Sequence, residues 1–241
     1  MKKKTIGILG GLGPEATVFM FNLIVTMTKA EKDQDHIPIL INNNPKIPDR
    51  TDFFTKNGTS PMNDLISSAQ HLERMGADFI IMPCNTAHYF YKDMKQNINI
   101  PFIHMIDEAA KYASEKLPGI RSFGLLSTTG TYSTRLYEES FEKKGLQIIV
   151  PDENFKNKIM RAITGKQGIK AGYKKIPLEI LLEVIDHLNQ KGSGAMINGC
   201  TEISLVVSEE HMDIPLLKPM QVLAGKAIQF AGYELKEMPK M

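Results

Sequence analysis

Residues 5–14 read Thr5-Ile-Gly-Ile-Leu-Gly-Gly-Leu-Gly-Pro14, and residues 122–130 read Ser122-Phe-Gly-Leu-Leu-Ser-Thr-Thr-Gly130. Each is a short apolar run that stops abruptly in a turn of small residues. Gly7–Gly13 aligns with Gly124–Gly130 at an offset of 117. Further landmarks recur in the same order. Gly76-Ala77 precedes Cys84-Asn-Thr86 as Gly194-Ala195 precedes Cys200-Thr-Glu202, and the two cysteines are 116 apart. Ile100-Pro-Phe-Ile opens like Ile214-Pro-Leu-Leu, 114 apart. Recurrence at near-constant spacing predicts a duplicated unit. The alternative is one continuous sheet with similar turns.

Outward from these runs, short apolar stretches alternate with helical ones. Strands are expected at Thr5–Leu9, Ile37–Ile41, Ala77–Met82, Ile100–Ile103, Ser122–Leu126, Gln147–Val150, Ala195–Asn198 and Pro215–Leu217. Helices are expected at Pro14–Lys29, Pro61–Met75, Thr86–Lys95, Asp107–Leu117, Thr131–Lys144, Asn154–Ile163, Pro177–Gln190, Glu202–Glu210 and Leu223–Phe230. Pro14 suits a first turn, where a missing N–H costs nothing, and Gly76 and Gly145 suit helix ends. The stretch Asn42–Thr51 is too rich in Asn and Pro for either regular state. Uninterrupted apolar strands between helices predict parallel sheets covered on both faces. The fold class is therefore α/β, with two similar domains of mainly parallel sheet flanked by helices. The first is expected over residues 1–103, completed by 214–241, and the second over 104–213.

Composition narrows the function. The 241 residues are 42% hydrophobic and 23% charged, enough to bury a substantial core. Twenty-nine Lys and Arg against 27 Asp and Glu leave a net charge of +2, which gives little ground for a nucleic-acid or membrane partner. No apolar run approaches the roughly 20 residues of a membrane span. The start, Met-Lys-Lys-Lys before an apolar run, resembles an export signal but lacks its cleavage pattern. Two cysteines cannot make a disulfide scaffold, so a cytoplasmic location with reduced thiols is expected.

The two cysteines carry the chemistry. Each sits just after an expected strand and before an expected helix, the crevice position in open α/β sheets. Helix N-terminal N–H groups there bind anions and lower a thiol pKa. Asn85, Thr86 and Thr201 add polar groups suited to a carboxylate or amine. Buried cysteine is often inert filling, but matched repeat positions in polar turns argue for a role. A thiolate on one side of a carbon and a thiol on the other would exchange a proton reversibly and invert a stereocentre. Nucleophilic attack by one cysteine lacks an evident base and leaves the other unexplained. A redox pair lacks the Cys-x-x-Cys signature. A metal site would need more ligands, so none is expected.

Gly7-Ile-Leu-Gly-Gly-Leu-Gly-Pro14, Asn43-Asn-Pro-Lys-Ile-Pro-Asp-Arg-Thr51, Met82-Pro-Cys-Asn-Thr-Ala-His88 and Gly199-Cys-Thr-Glu202 together resemble the aspartate/glutamate racemase family, most closely its cofactor-independent aspartate branch. The resemblance covers essentially the whole chain. It implies an active site in the cleft between two α/β domains, a homodimer, and no need for pyridoxal phosphate or metal. It implies Cys84 and Cys200 as the two acid/base groups, and Arg50 as a contact for the substrate's side-chain carboxylate, a task that suits a planar guanidinium. Lys170 is the implied second cation, with Lys166 nearby as an alternative. The implied ligand is a small acidic amino acid, with glutamate or a broader amino-acid range as the alternative substrates. A non-catalytic amino-acid-binding regulatory protein is the rival from another class.

Weaker signals remain open. Gly11-Leu-Gly-Pro-Glu-Ala16 fits a dinucleotide fingerprint, but no acid ends the second strand to hold a ribose. Gly11 would equally serve close backbone packing. Thr128 and Thr129 either contact ligand or cap a turn. His88, four residues past Cys84, is expected in a supporting role. His104 is unassigned, and Glu202 either orients an amine or favours a helix N-terminus.

Overall fold

The computed structural model describes residues 3–236. The extreme ends of the expected first domain, including the start of the signal-like Lys run, lie outside them. The chain divides into two compact units. One runs to Glu108 and resumes at Met220, and the other spans Ala109–Pro219.

In the first unit, β1 (Ile6–Gly10) leads to α1 (Pro14–Met27), β2 (Ile39–Asn43), α2 (Arg50–Lys56), α3 (Met62–Arg74) and β3 (Phe79–Ile81). The sheet is parallel in the order β2-β1-β3, with Ile6 opposite both Ile39 and Phe79. Residues alternate across a strand, so Ile6, Ile8, Phe79 and Ile81 face one side and Ile80 the other. The first side is covered by Met20 and Ile24 of α1 and by Leu223, Ala227 and Ile228 of α10 (Pro219–Phe230). The second is covered by Leu65, Ala69 and Leu72 of α3, together with Phe90 and Phe102. Burial on both faces explains why these strands read as continuous apolar runs.

After β3 come α4 (Tyr91–Gln96) and α5 (Met105–Lys116), which crosses the boundary between the units. The second unit then contains β4 (Ser122–Leu126), α6 (Thr129–Thr134), α7 (Leu136–Glu142), β5 (Gln147–Ile149), α8 (Glu153–Thr164), α9 (Lys175–Gln190), β6 (Ala195–Asn198) and β7 (Leu216–Leu217). Its parallel sheet runs β5-β4-β6-β7. Ile180, Leu181, Val184, Ile185 and Leu188 form the buried stripe of α9 at helical spacing.

The duplication is visible atom by atom. Ile80 N–H donates to Pro101 O at 2.8 Å in the first unit, and Met196 N–H donates to Pro215 O at 2.9 Å in the second. The fourth strand is complete only in the second unit. In the first it shrinks to one parallel bridge, Ile80 to Phe102, where a strand over Ile100–Ile103 was expected. The glycine pairing also shifts. Gly76 and Gly192, with φ of +94° and +90°, close the helices before β3 and β6. They are 116 apart, like the cysteines, so Gly192 rather than Gly194 is the counterpart of Gly76.

Other boundaries differ for local reasons. Leu216-Leu217 pairs with β6, so the segment expected to rejoin the first unit at 214 does so at Met220, and the earlier boundary moves from 103 to 108. The Asn- and Pro-rich loop ends two residues early in α2, because the Asp49 side chain accepts the Asp52 N–H at 2.8 Å and starts a helix. The helix expected at Thr131–Lys144 is broken by Arg135 at φ +54°. The helix expected from Thr86 begins as a 3-10 turn, Thr86–Phe90, before α4. That expected over Glu202–Glu210 is two 3-10 turns, Ile203–Leu205 and Glu209–His211.

Candidate active site

Each unit gathers its candidate residues at the C-terminal ends of its strands, where an open parallel sheet places a site. In the first unit these follow β1, β2 and β3. Gly11 has φ +90°, and a Cβ there would lie 2.4 Å from the Asn44 carbonyl carbon. The turn after β1 thus packs directly on the loop after β2, and glycine is required for that approach.

Arg50 ties the same two loops together. It is 8% exposed, not the solvated loop residue its polar neighbours suggest. Its guanidinium donates to Leu12 O at 2.7 Å, Pro48 O at 3.0 Å and Ile47 O at 3.3 Å. Its Nε is buried and, among the described residues, has no hydrogen-bond partner. An orphaned buried donor is costly unless something else accepts from it.

Cys84 follows β3 through Met82-Pro83 and is buried with Asn85 and Thr86. His88 is 1% exposed and braces the cysteine backbone. Its Nδ1 lies 2.7 Å from Cys84 O, and its Nε2 accepts the Met105 N–H at 3.1 Å. An acceptor Nε2 leaves Nδ1 as the protonated nitrogen, so the ring is neutral. Burial, with His104 nearby, pushes its pKa well below the ordinary histidine value. His104 stands 4.7 Å from the His88 ring, and its Nδ1 accepts the Asp107 N–H at the start of α5.

In the second unit the residues follow β4 and β6. Thr128 caps α6 by accepting the Thr131 N–H at 3.3 Å, which is the turn-capping role, and Thr129 is the first residue of that helix. Gly199, next to Cys200, allows a close approach: a Cβ there would sit 2.5 Å from Leu125 Cδ1. The buried Ser127 hydroxyl donates to Gly199 O at 2.5 Å and fixes the turn.

The turn presents a compact polar cluster. Cys200 Sγ donates to Glu202 Oε2 at 3.0 Å, and Thr201 Oγ1 donates to the same oxygen at 3.0 Å. Lys170 Nζ lies 3.6 Å from the other oxygen, Oε1. Burial, then the Glu202 charge and side-chain hydrogen bond, push the Cys200 thiol well above its ordinary range, partly opposed by the Glu202 backbone N–H and by Lys170. This reverses the expectation of a thiol made acidic by a helix N-terminus. Only a short 3-10 turn follows, and the nearest charge is negative. Glu202 was expected to orient an amine or favour a helix start; its carboxylate accepts from Cys200 Sγ and Thr201 Oγ1 and is ion-paired with Lys170. Lys170, the implied second cation, lies 3.6 Å from Glu202 Oε1, and Lys166 is exposed in the turn after α8. The Glu202–Cys200 bond joins side chains two residues apart across an irregular turn, which no periodicity signals.

Among the described residues, no helix is long and apolar enough to cross a membrane, and no group of three or more His, Cys, Asp or Glu could hold a metal ion.

Similarity to known proteins agrees with the α/β fold of the two units. The profile of the family described as Asp/Glu/Hydantoin racemase matches residues 9–227. The structure of Picrophilus torridus aspartate racemase superposes with a TM-score of 0.85 at 33% identity, covering 97% of this chain and 96% of that one. An aspartate racemase homologue from Pyrococcus horikoshii OT3 superposes with a TM-score of 0.77 at 25% identity, covering 95% and 99%. The broad specificity amino-acid racemase RacX of Bacillus subtilis (strain 168) is 25% identical over 232 residues, 92% of this chain and 96% of its own. With two parallel α/β units, a cysteine after the equivalent strand of each, and a family match over most of its length, this chain belongs to the Asp/Glu/Hydantoin racemase family and is an amino-acid racemase.

Proposed function

We propose that the enzyme interconverts L- and D-aspartate without a cofactor, with Cys84 and Cys200 as the two acid–base groups at the α-carbon. The observation that carries this reading is the matched placement of the two buried cysteines, one after β3 and one after β6. The α C–H of an amino acid is a feeble acid, so its removal needs a strong base in a dry environment. Cys200 starts as the proton donor, with its S–H on Glu202. Cys84 is the partner that takes the α-proton. In the reverse reaction the roles exchange.

Arg50 is proposed to receive the side-chain carboxylate through donors its carbonyl contacts leave over, including the orphaned Nε–H. Such a charge-assisted bond would satisfy a buried group and select a diacid. Asn85, Thr86, Thr129 and Thr201 are the remaining proposed ligand contacts, with Lys170 as a cation recruited from Glu202. Gly11, His88, Thr128 and Glu202 support these positions. The similarity to an enzyme named aspartate racemase favours aspartate over glutamate. The enzyme is proposed to work as a homodimer, which light scattering in solution would test.

One observation favours a broader substrate range. The guanidinium of Arg50 is largely committed to backbone carbonyls, and Lys170 to Glu202, which leaves less free cationic character for a second carboxylate. Metal-stripped, cofactor-free protein incubated separately with each enantiomer of aspartate, glutamate and alanine, followed by chiral chromatography, decides between the readings. Aspartate from either enantiomer should reach the same 1:1 mixture fastest. Comparable rates on all three would establish the broad reading. Activity only after adding metal or pyridoxal phosphate would reject the cofactor-free proposal.

A further inference from the structure

Glu202 is a buried carboxylate, 7% exposed, with three donors aimed at it. Two of them, Cys200 Sγ and Thr201 Oγ1, converge on Oε2, and Lys170 Nζ approaches Oε1. A capping role would place backbone N–H groups on this side chain. Here its partners are the thiol, a hydroxyl and an ammonium.

We propose that Glu202 is a positioning residue for the reaction: its hydrogen bond keeps Cys200 as a thiol in the resting enzyme, and Lys170 weakens that hold by sharing the carboxylate. The proposal rests on Cys200 being one of the two acid–base groups.

The chemistry follows from the arrangement. A thiolate formed at Cys200 would lie beside the Glu202 charge with little water to screen either. That anion is disfavoured, so it is a strong base, suited to recovering a proton from carbon. Lys170 acts in the opposite sense, because its charge stabilises thiolate and carboxylate alike. Among the described residues, the other titratable groups facing Cys200 are Tyr132 and Tyr137. Burial raises both phenols and keeps them neutral. The Tyr132 hydroxyl is also held between Ser127 N–H and Leu125 O. Burial and the Glu202 carboxylate therefore push the Cys200 thiol up, and the Glu202 backbone N–H and Lys170 oppose them.

The test reads acidity without turnover. In a Cys84→Ala background, Cys200 is alkylated with iodoacetamide between pH 6 and 10.5, and the modified peptide is quantified by mass spectrometry. The midpoint is the readout, because altered access scales the rate equally at every pH. The parent midpoint should lie above the ordinary thiol value of about 8.5. Glu202→Gln should lower it by a unit or more, about a ten-fold faster alkylation at pH 8. Glu202→Asp, which keeps the charge on a shorter arm, should fall between them. Lys170→Met should raise the midpoint. An unchanged midpoint in Glu202→Gln, or shifts of the same sign in Glu202→Gln and Lys170→Met, would overturn the inference. Should Glu202→Gln fail to fold, the opposed shifts of Glu202→Asp and Lys170→Met decide it. Failure here would leave the racemase reading to its own isotope test, and failure of that test would not move these midpoints.

Discussion

His88 bridges the carbonyl of Cys84 and the backbone N–H of Met105, with 2.7 Å on one side of the ring and 3.1 Å on the other. The bridge works only for the neutral ring protonated on Nδ1. A second proton would turn Nε2 into a donor facing the Met105 N–H.

A pH dependence of stability follows. The folded-state pKa of His88 lies well below its unfolded value of 6.5. Between those values the unfolded chain binds the extra proton and the folded chain does not. The His88 contribution is therefore complete above about pH 6.5 and is lost as pH falls below it, by at most about 1.4 kcal/mol per pH unit. Urea unfolding between pH 7.5 and 5 should show this slope, and His88→Gln should show less of it. Equal slopes in both proteins would remove His88 as the cause.

Two backbone positions give opposite predictions. Gly11→Ala adds a Cβ at 2.4 Å from Asn44 backbone at positive φ, so stability should fall by about 2 kcal/mol or more. Arg135 occupies the left-handed region between α6 and α7. Glycine relieves that cost, so Arg135→Gly should stabilise by up to about 1 kcal/mol, while Arg135→Val destabilises. Thermal unfolding of the three variants checks the order.

These positions also show what was legible in sequence. The two apolar runs and their Gly-rich turns disclosed the central strands, because strands buried on both faces have no polar alternation to confuse them. Gly76 and Gly145 marked helix ends through the positive φ that glycine tolerates. The break at Arg135 was invisible, since nothing in Thr131–Lys144 marks an arginine for the left-handed region. The start of α2 was readable in Asp49-Arg-Thr-Asp52 but was hidden by its Asn- and Pro-rich approach. The placement of Cys84 and Cys200, with their polar neighbours, after matched strands was legible from repeat position. The reversed acidity of Cys200 was not, because it depends on burial and on where Glu202 and Lys170 point.

Arg50 has a structural task as well as its proposed ligand task. Arg50→Ala removes donors from three carbonyls and should destabilise by about 1.5–3 kcal/mol. It should also lower kcat/KM for aspartate at least ten-fold, with a smaller effect on residual alanine turnover. Arg50→Lys keeps the charge but not the fork, and should recover part of the stability and little of the aspartate kinetics. Loss of stability with unchanged aspartate kinetics would reduce Arg50 to a scaffold residue.

The lysines separate by the same logic. Lys170→Met should raise KM for aspartate several-fold, because it removes the cation proposed to leave Glu202 for the ligand. Lys166→Met, at an exposed turn, should leave KM within about two-fold, as surface substitutions usually do. The reverse pattern would transfer the ligand role to Lys166.

The proposed reaction is proton exchange between Cys84 and Cys200 at one carbon. Its most direct measurement is the initial fate of deuterium when L-aspartate is racemised in deuterated water, with each enantiomer separated and analysed by mass spectrometry. Two acid–base groups require solvent deuterium in the newly formed D-aspartate while recovered L-aspartate stays protonated at early times, and the mirror result from D-aspartate. Cys84→Ala and Cys200→Ala should each abolish this conversion. Early deuterium in both recovered substrate and product, or normal racemisation by either cysteine variant, would exclude exchange between two cysteines.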